Sequence, residues 1–269
     1  MIGNFIKIIK QNISGRHIFV VLISVFIITG GIASYILIST ELNYRNAQNE
    51  YIRLRRYAPT GFYQPAPVEN VNEQTNQSDE SDNIDLNENA SPNEPESMSD
   101  LSVINPDYVG WIRINGTYID YPVVQGVNNT KYLSTTFTGE RNTSGAIFKD
   151  YRCTPGFSGF TMLHGHNMRN GTMFAELSHF LDPDFFLANS EISIFTPAGD
   201  LITYIVSNVF KVNMYDPIFS VPEKDPDEII AYLIQNNFLS QSTQTSDILI
   251  LATCITNQKT ERLLVIAVN

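Results

Sequence analysis

The sequence predicts a mostly β domain, a barrel or a sandwich, carried behind an N-terminal apolar helix and an acidic, disordered stalk. Three observations carry this. Residues 18–38 contain no charged side chain over 21 positions. Residues 57–112 hold 11 Asp and Glu and no Lys or Arg. From about residue 100 onward, short apolar runs alternate with Gly, Asn, Asp and Pro, the spacing of an all-β domain.

The apolar stretch comes first. As a helix its 21 residues would extend about 31 Å, enough for a bilayer core of about 30 Å. It is longer than the h-region of a cleaved signal peptide, and no small-x-small cleavage site follows it, so it reads as an uncleaved anchor. Lys7, Lys10 and Arg16 precede it and Arg45, Arg53, Arg55 and Arg56 follow. Near the span the bias slightly favours a cytoplasmic N-terminus with the rest of the chain outside. The predicted organisation is a cytoplasmic stub (1–17), a transmembrane anchor (18–38), an extracellular stalk (39–99) and a folded domain (100–269).

Residues 39–56 read as a helical continuation of the anchor. Residues 57–98 are rich in Asn, Glu, Ser, Gln and Pro and have too little apolar surface to offset chain entropy. The net charge of −11 belongs to this region, because without residues 57–112 the chain carries 17 acids against 17 bases. No part of it offers the basic surface that nucleic-acid binding needs.

In the folded domain, strands are expected at 110–114, 118–124, 145–149, 159–163, 192–196, 201–212, 247–253 and 262–268. Helices are expected at 99–108, 172–181 and 227–238, the last with an acidic start that suits a helix N-terminus.

The chemistry-bearing residues lie at strand ends. Leu249-Ile250-Leu251-Ala252-Thr253-Cys254 puts a thiol at the end of an apolar run, and Arg262 opens the next. Leu163-His164-Gly165-His166-Asn167-Met168 supplies an imidazole after an earlier one. Thiol, imidazole and guanidinium together suit covalent chemistry on an acyl group. The other cysteine, Cys153, lies in a polar loop and is expected to be an exposed spare thiol. A Cys153–Cys254 disulfide is the competing reading, since paired cysteines outside the cell often cross-link. His164 and His166 share a strand face, but with His179 as the only other histidine after the anchor, no metal is expected.

These residues resemble the class B sortases, membrane-anchored cysteine transpeptidases of Gram-positive bacteria. The resemblance runs from Trp111 to Asn269. It rests on Tyr121-Pro122-Val123-Val124-Gln125-Gly126, Gly145-Ala146-Ile147-Phe148-Lys149-Asp150-Tyr151-Arg152, Gly165-His166-Asn167-Met168, Thr172-Met173-Phe174 and Leu251-Ala252-Thr253-Cys254 with Arg262. It implies a closed sortase-type β-barrel of about eight strands with peripheral helices and no cofactor. Cys254 would be the nucleophile, His166 the general acid/base, and Arg262 the group steadying substrate and oxyanion.

The resemblance also implies substrates: secreted proteins bearing a C-terminal sorting signal, cut after a threonine and joined to an amine of a peptidoglycan precursor or a pilin. Departures from the family pattern fall at the substrate groove. His164 stands where many members have Tyr, Ala252 where they have Ser or Thr, and Ile255 where they have an acid. Thr253 and Asn129, beside Asn128, complete the groove candidates. The segment 255–261 between Cys254 and Arg262 looks short for the class. Two alternatives remain: a cell-surface cysteine hydrolase with the same Cys-His pair, and a non-enzymatic module stapled by its two cysteines.

Overall fold

A computed structural model describes residues 15–59, 98–240 and 247–269. The chain divides into two compact units, Met1–Asn46 and Ala47–Asn269. Most of the expected stalk, 60–97, lies outside the described residues.

In the first unit the chain is helical from residue 15, as the start of α1 (Gly15–Leu54). Side chains 19–38 are exposed. The hydroxyls of Ser24, Thr29 and Thr40 donate back to the carbonyls of Val20, Val25 and Ile36, so these three are satisfied within the helix. Among the described residues it is the one helix long and apolar enough to cross a membrane.

The second unit begins at Ala47, well before the boundary expected at residue 100. Ala47, Glu50, Tyr51 and Leu54 are buried, and their i, i+3, i+4, i+7 spacing forms one helical face. Tyr51 Oη donates to the Gly145 carbonyl at 2.6 Å, and its ring meets Tyr121 edge-on. Glu50 accepts from the Thr138 N–H at 2.9 Å. Gly145 takes this place because its φ is +58° and a Cβ there would lie 2.3 Å from the Tyr132 carbonyl oxygen.

Eight strands close into a barrel in the order β1-β2-β3-β4-β7-β8-β6-β5. They are β1 (Tyr108–Ile114), β2 (Asp120–Val124), β3 (Ile147–Lys149), β4 (Phe160–His164), β5 (Glu191–Phe195), β6 (Leu201–Asn213), β7 (Ile248–Ile255) and β8 (Gln258–Val268). All eight expected runs are therefore strands. β2–β3 and β4–β7 are parallel and the other neighbours antiparallel. Closure leaves no sheet edge exposed.

β7 explains why its sequence is apolar without alternation. Ile248, Ile250 and Ala252 pack in an outer layer with Met162, Phe160, Ile218, Val221, Ile229, Leu233, Leu264 and Ile266. Leu249, Leu251 and Thr253 point to the opposite face and are also buried. Burial on both faces calls for a continuous apolar run.

The outer layer is supplied by the β6–β7 connection, a 3₁₀ segment (Pro217–Glu223) followed by α4 (Pro226–Gln235). The remaining helices are short: α2 (Leu101–Ile104) and α3 (Pro183–Ala188), the latter capped by Asp182 with Pro at its first turn. The helix expected at 172–181 is a 3₁₀ segment, Ala175–Leu181.

Candidate active site

β4 and β7 run parallel with His164 opposite Ala252. Their pairing continues beyond β4. The Gly165 N–H donates to the Ala252 carbonyl at 3.2 Å, and Thr253 Oγ1 donates to the Gly165 carbonyl at 2.8 Å. β4 ends at His164, and the loop beyond it stays tied to β7, because Asn167 Nδ2 donates to the Cys254 carbonyl at 2.8 Å. On its other side Cys254 is the antiparallel partner of Arg262. Three stretches distant in sequence thus meet as neighbours at one end of the barrel.

Alternation assigns the face. Cys254 shares the face of Ala252, His164 that of Met162, and Arg262 that of Leu264, and Ala252, Met162 and Leu264 all belong to the outer layer. Gly165 is needed between the two histidines. A Cβ there would come within 2.5 Å of Ile147 Cδ1 and 2.7 Å of Phe174 Cδ2.

The loop that carries His166 is clamped at both ends. The Phe174 N–H donates to the His166 carbonyl at 2.9 Å. Asn167 bridges to Met173, whose φ of +59° is held while its N–H donates to Tyr121 Oη at 3.1 Å. His166 Nε2 lies 2.7 Å from the Leu133 carbonyl. A carbonyl only accepts, so Nε2 carries a proton, which leaves Nδ1 as the ring nitrogen that can take up or give one.

Arg262 donates from Nη1 to the carbonyls of Lys259 and Glu261 at 3.1 and 2.9 Å. The segment expected as a loop between Cys254 and Arg262 is mostly strand. β7 runs to Ile255 and β8 starts at Gln258, with Asn257 in the left-handed region at φ +63°. Asn tolerates that conformation, which lets the hairpin turn tightly; the register then shifts between Ile255 and Cys254, and the ladder resumes with Cys254 opposite Arg262.

Among the groove candidates, His164 and Ile255 are partly exposed, Ala252 and Thr253 buried. The Asn129 amide is engaged, donating to Asp150 Oδ2 at 2.7 Å and accepting from the Tyr151 N–H at 3.1 Å. Asn128 instead caps the turn at Thr130 and Lys131.

Cys153 is not the exposed thiol expected from its polar loop. It is 6% exposed and packs in the outer apolar layer. Its backbone satisfies the polar demand, with Cys153 N–H donating to the Asp150 carbonyl and Gln125 Nε2 donating to the Cys153 carbonyl, so the thiol can turn inward. Burial pushes its pKa up to about 11. Both cysteines are free thiols, which overturns the disulfide-stapled reading. No three metal-ligating side chains gather among the described residues.

Sequence reasoning gave no role to Asp150, Arg152 or Asn167. Asp150 is buried and takes Arg152 Nε and Nη2 at 2.8 Å each. Arg152 reaches on to Glu223 at 2.9 Å and the Phe219 carbonyl at 2.7 Å. Burial alone would raise the Asp150 pKa, but the hydrogen bonds from Arg152 and His164 outweigh it and hold the carboxyl well below the usual range.

A family model described as Sortase domain matches residues 112–269, more than half of the chain. The chain belongs to the sortase family. Among its relatives, Sortase B of Listeria monocytogenes serovar 1/2a is 43% identical over 99 residues, 36% of this sortase and 40% of that protein's length. The crystal structure of Clostridium perfringens sortase B is 34% identical, with TM-score 0.58, covering 64% of this chain and 98% of the other. The Staphylococcus aureus sortase B–substrate complex is 27% identical, with TM-score 0.55, covering 64% and 83%. The eight-stranded barrel with peripheral helices is that of the class B sortases.

Proposed function

We propose that this sortase is a cysteine transpeptidase acting on C-terminal sorting signals of secreted proteins. What supports this is the pairing of Cys254 with Arg262 across β7 and β8, with the loop that carries His166 tied to the Cys254 carbonyl through Asn167, in a class B sortase barrel. The Cys254 thiolate attacks the carbonyl of a threonine. The C–N bond breaks as protonated His166 gives its proton to the leaving amine, and a thioester remains. An incoming amine, losing its proton to His166, then attacks the thioester and the thiolate departs. Arg262, permanently charged, offsets the negative charge that develops on the oxygen in both steps.

The acceptor amine belongs to a peptidoglycan precursor or to a pilin subunit. The apolar part of α1, with a mean hydropathy of 2.4, serves as a single-pass anchor with the N-terminus inside, so that the barrel meets substrates outside the cell as they emerge.

The test incubates the full chain in detergent with sorting-signal peptides, starting with that of the S. aureus complex, with and without triglycine. Transfer to triglycine supports the reading. Release of free acid alone, unaffected by triglycine, would make the protein a hydrolase.

A further inference from the structure

Asp150 and its partners form a polar cluster next to the proposed active site, and the catalytic steps leave it without a role. Its carboxylate is fully buried. It receives Arg152 Nε and Nη2, the Arg152 N–H at 3.1 Å, Asn129 Nδ2 and His164 Nε2 at 3.2 Å. Like Arg152, whose side chain is 19% exposed, His164 reaches the surface in part, at 20%. It stands on the same face as Cys254, opposite Ala252, and its ring stacks on Phe148 at 5.1 Å between centroids.

A carboxylate only accepts, so the contact requires His164 Nε2 to carry the proton. When the ring is neutral this leaves Nδ1 unprotonated, and no described residue donates to it. Stacking on Phe148 and the bond to Asp150 together fix the ring plane. We infer that Asp150 holds His164 as the Nε2–H tautomer, making Nδ1 a fixed hydrogen-bond acceptor on the groove floor that binds an N–H or O–H of the sorting-signal peptide. This rests on the transpeptidase reading and deepens it. His164 sits two residues along the strands from Cys254, about 7 Å, so the donor belongs to a residue about two positions from the threonine in an extended peptide. Asp150 is a positioning residue, acting through His164.

The cluster also explains why the acceptor is rigid. Arg152 ties Asp150 to Glu223 and to the Phe219 carbonyl in the β6–β7 connection. Asn129 ties it to the β2–β3 loop. Two loops are thus fastened to the group that orients His164, and a pre-oriented acceptor costs less to use than a mobile one.

The test has two arms on the full chain. In ¹⁵N-histidine-labelled protein, the ring signals of His164, assigned by their loss in His164→Gln, should report a protonated Nε2 and a bare Nδ1. Asp150→Asn should yield a mixture of tautomers. In transfer assays with triglycine, His164→Gln places its amide where Nε2 lies and keeps a partner for Asp150, but has no acceptor at the Nδ1 position. It should raise the peptide KM about tenfold, as expected for one lost hydrogen bond, with kcat changed less than threefold and the melting temperature held. His164→Asn, whose amide falls near the Nδ1 position, should recover part of the KM.

A protonated Nδ1 in wild type, or an unchanged KM in His164→Gln, overturns the inference. If wild type transfers no peptide, the proposed activity itself has failed, and the tautomer then decides whether Asp150 orients His164.

Discussion

The side-chain amide of Asn167 donates to the carbonyl oxygen of Cys254 at 2.8 Å and to Thr256 Oγ1 at 3.2 Å. The residue after the proposed general acid/base is thereby fastened to the backbone of the proposed nucleophile. Asn167→Ala should lower transfer by about tenfold, the worth of one such bond, while iodoacetamide still alkylates Cys254. Unchanged transfer would mean that the clamps at Met173 and Phe174 hold the loop by themselves.

The two thiols should behave differently. Cys254→Ala should abolish transfer with the barrel folded, and Cys153→Ala should leave transfer intact. Iodoacetamide should modify one thiol in the native protein and both in denaturant, counted by intact mass. Because folding raises the Cys153 pKa to about 11, its protonated form is favoured in the native state. Its contribution to stability is complete below the unfolded thiol's pKa near 8.5 and is lost as pH climbs toward 11. Cys153→Ala should flatten that alkaline loss.

Arg152→Ala leaves the Asp150 carboxylate buried without its bidentate partner. Removing one member of such a pair costs about 3–5 kcal/mol, read as a drop in the denaturation midpoint. The sign with pH is opposite to that of the thiol. Asp150 has a depressed native pKa, so its stabilisation is present above the unfolded carboxyl value near 3.9 and fades as the solution is acidified. The Arg152→Ala protein should show a weaker acid-dependent loss than wild type.

Tyr51→Phe removes the donor to the Gly145 carbonyl and should destabilise the folded unit by about 1–3 kcal/mol with little change in transfer. For the same reason a fragment of residues 47–269 should melt above one of residues 98–269. Equal melting temperatures would show that the packed end of α1 adds nothing to the barrel.

The strands were legible because their apolar runs are short and bounded by turn residues, and β7 and the Leu263–Val268 half of β8 stood out as near-continuous apolar runs. Cys254, His166 and Arg262 were legible as strand-end residues of the right chemistry. What the sequence could not convey was direction of burial. Cys153 sits among Arg152, Thr154 and Pro155, and only the folded loop turns its sulfur inward. Asp150, Arg152 and Asn167 look like ordinary loop polar residues, because beyond the local Asp150–Arg152 pair their partners lie on other elements: Glu223 on the β6–β7 connection, His164 on β4 and the Cys254 carbonyl on β7. Ala47 to Leu54 read as a helix, but what its buried face packs against emerges only from Gly145, Thr138 and Tyr121.

In the proposed reaction Cys254 carries the acyl group. The most direct measurement is intact-mass analysis of the full chain quenched during turnover of a sorting-signal peptide, followed by proteolytic mapping of the adduct. The expected result is one acyl group in thioester linkage on Cys254, discharged by triglycine and missing from Cys254→Ala. An adduct on Cys153, or turnover that persists in Cys254→Ala, would contradict it.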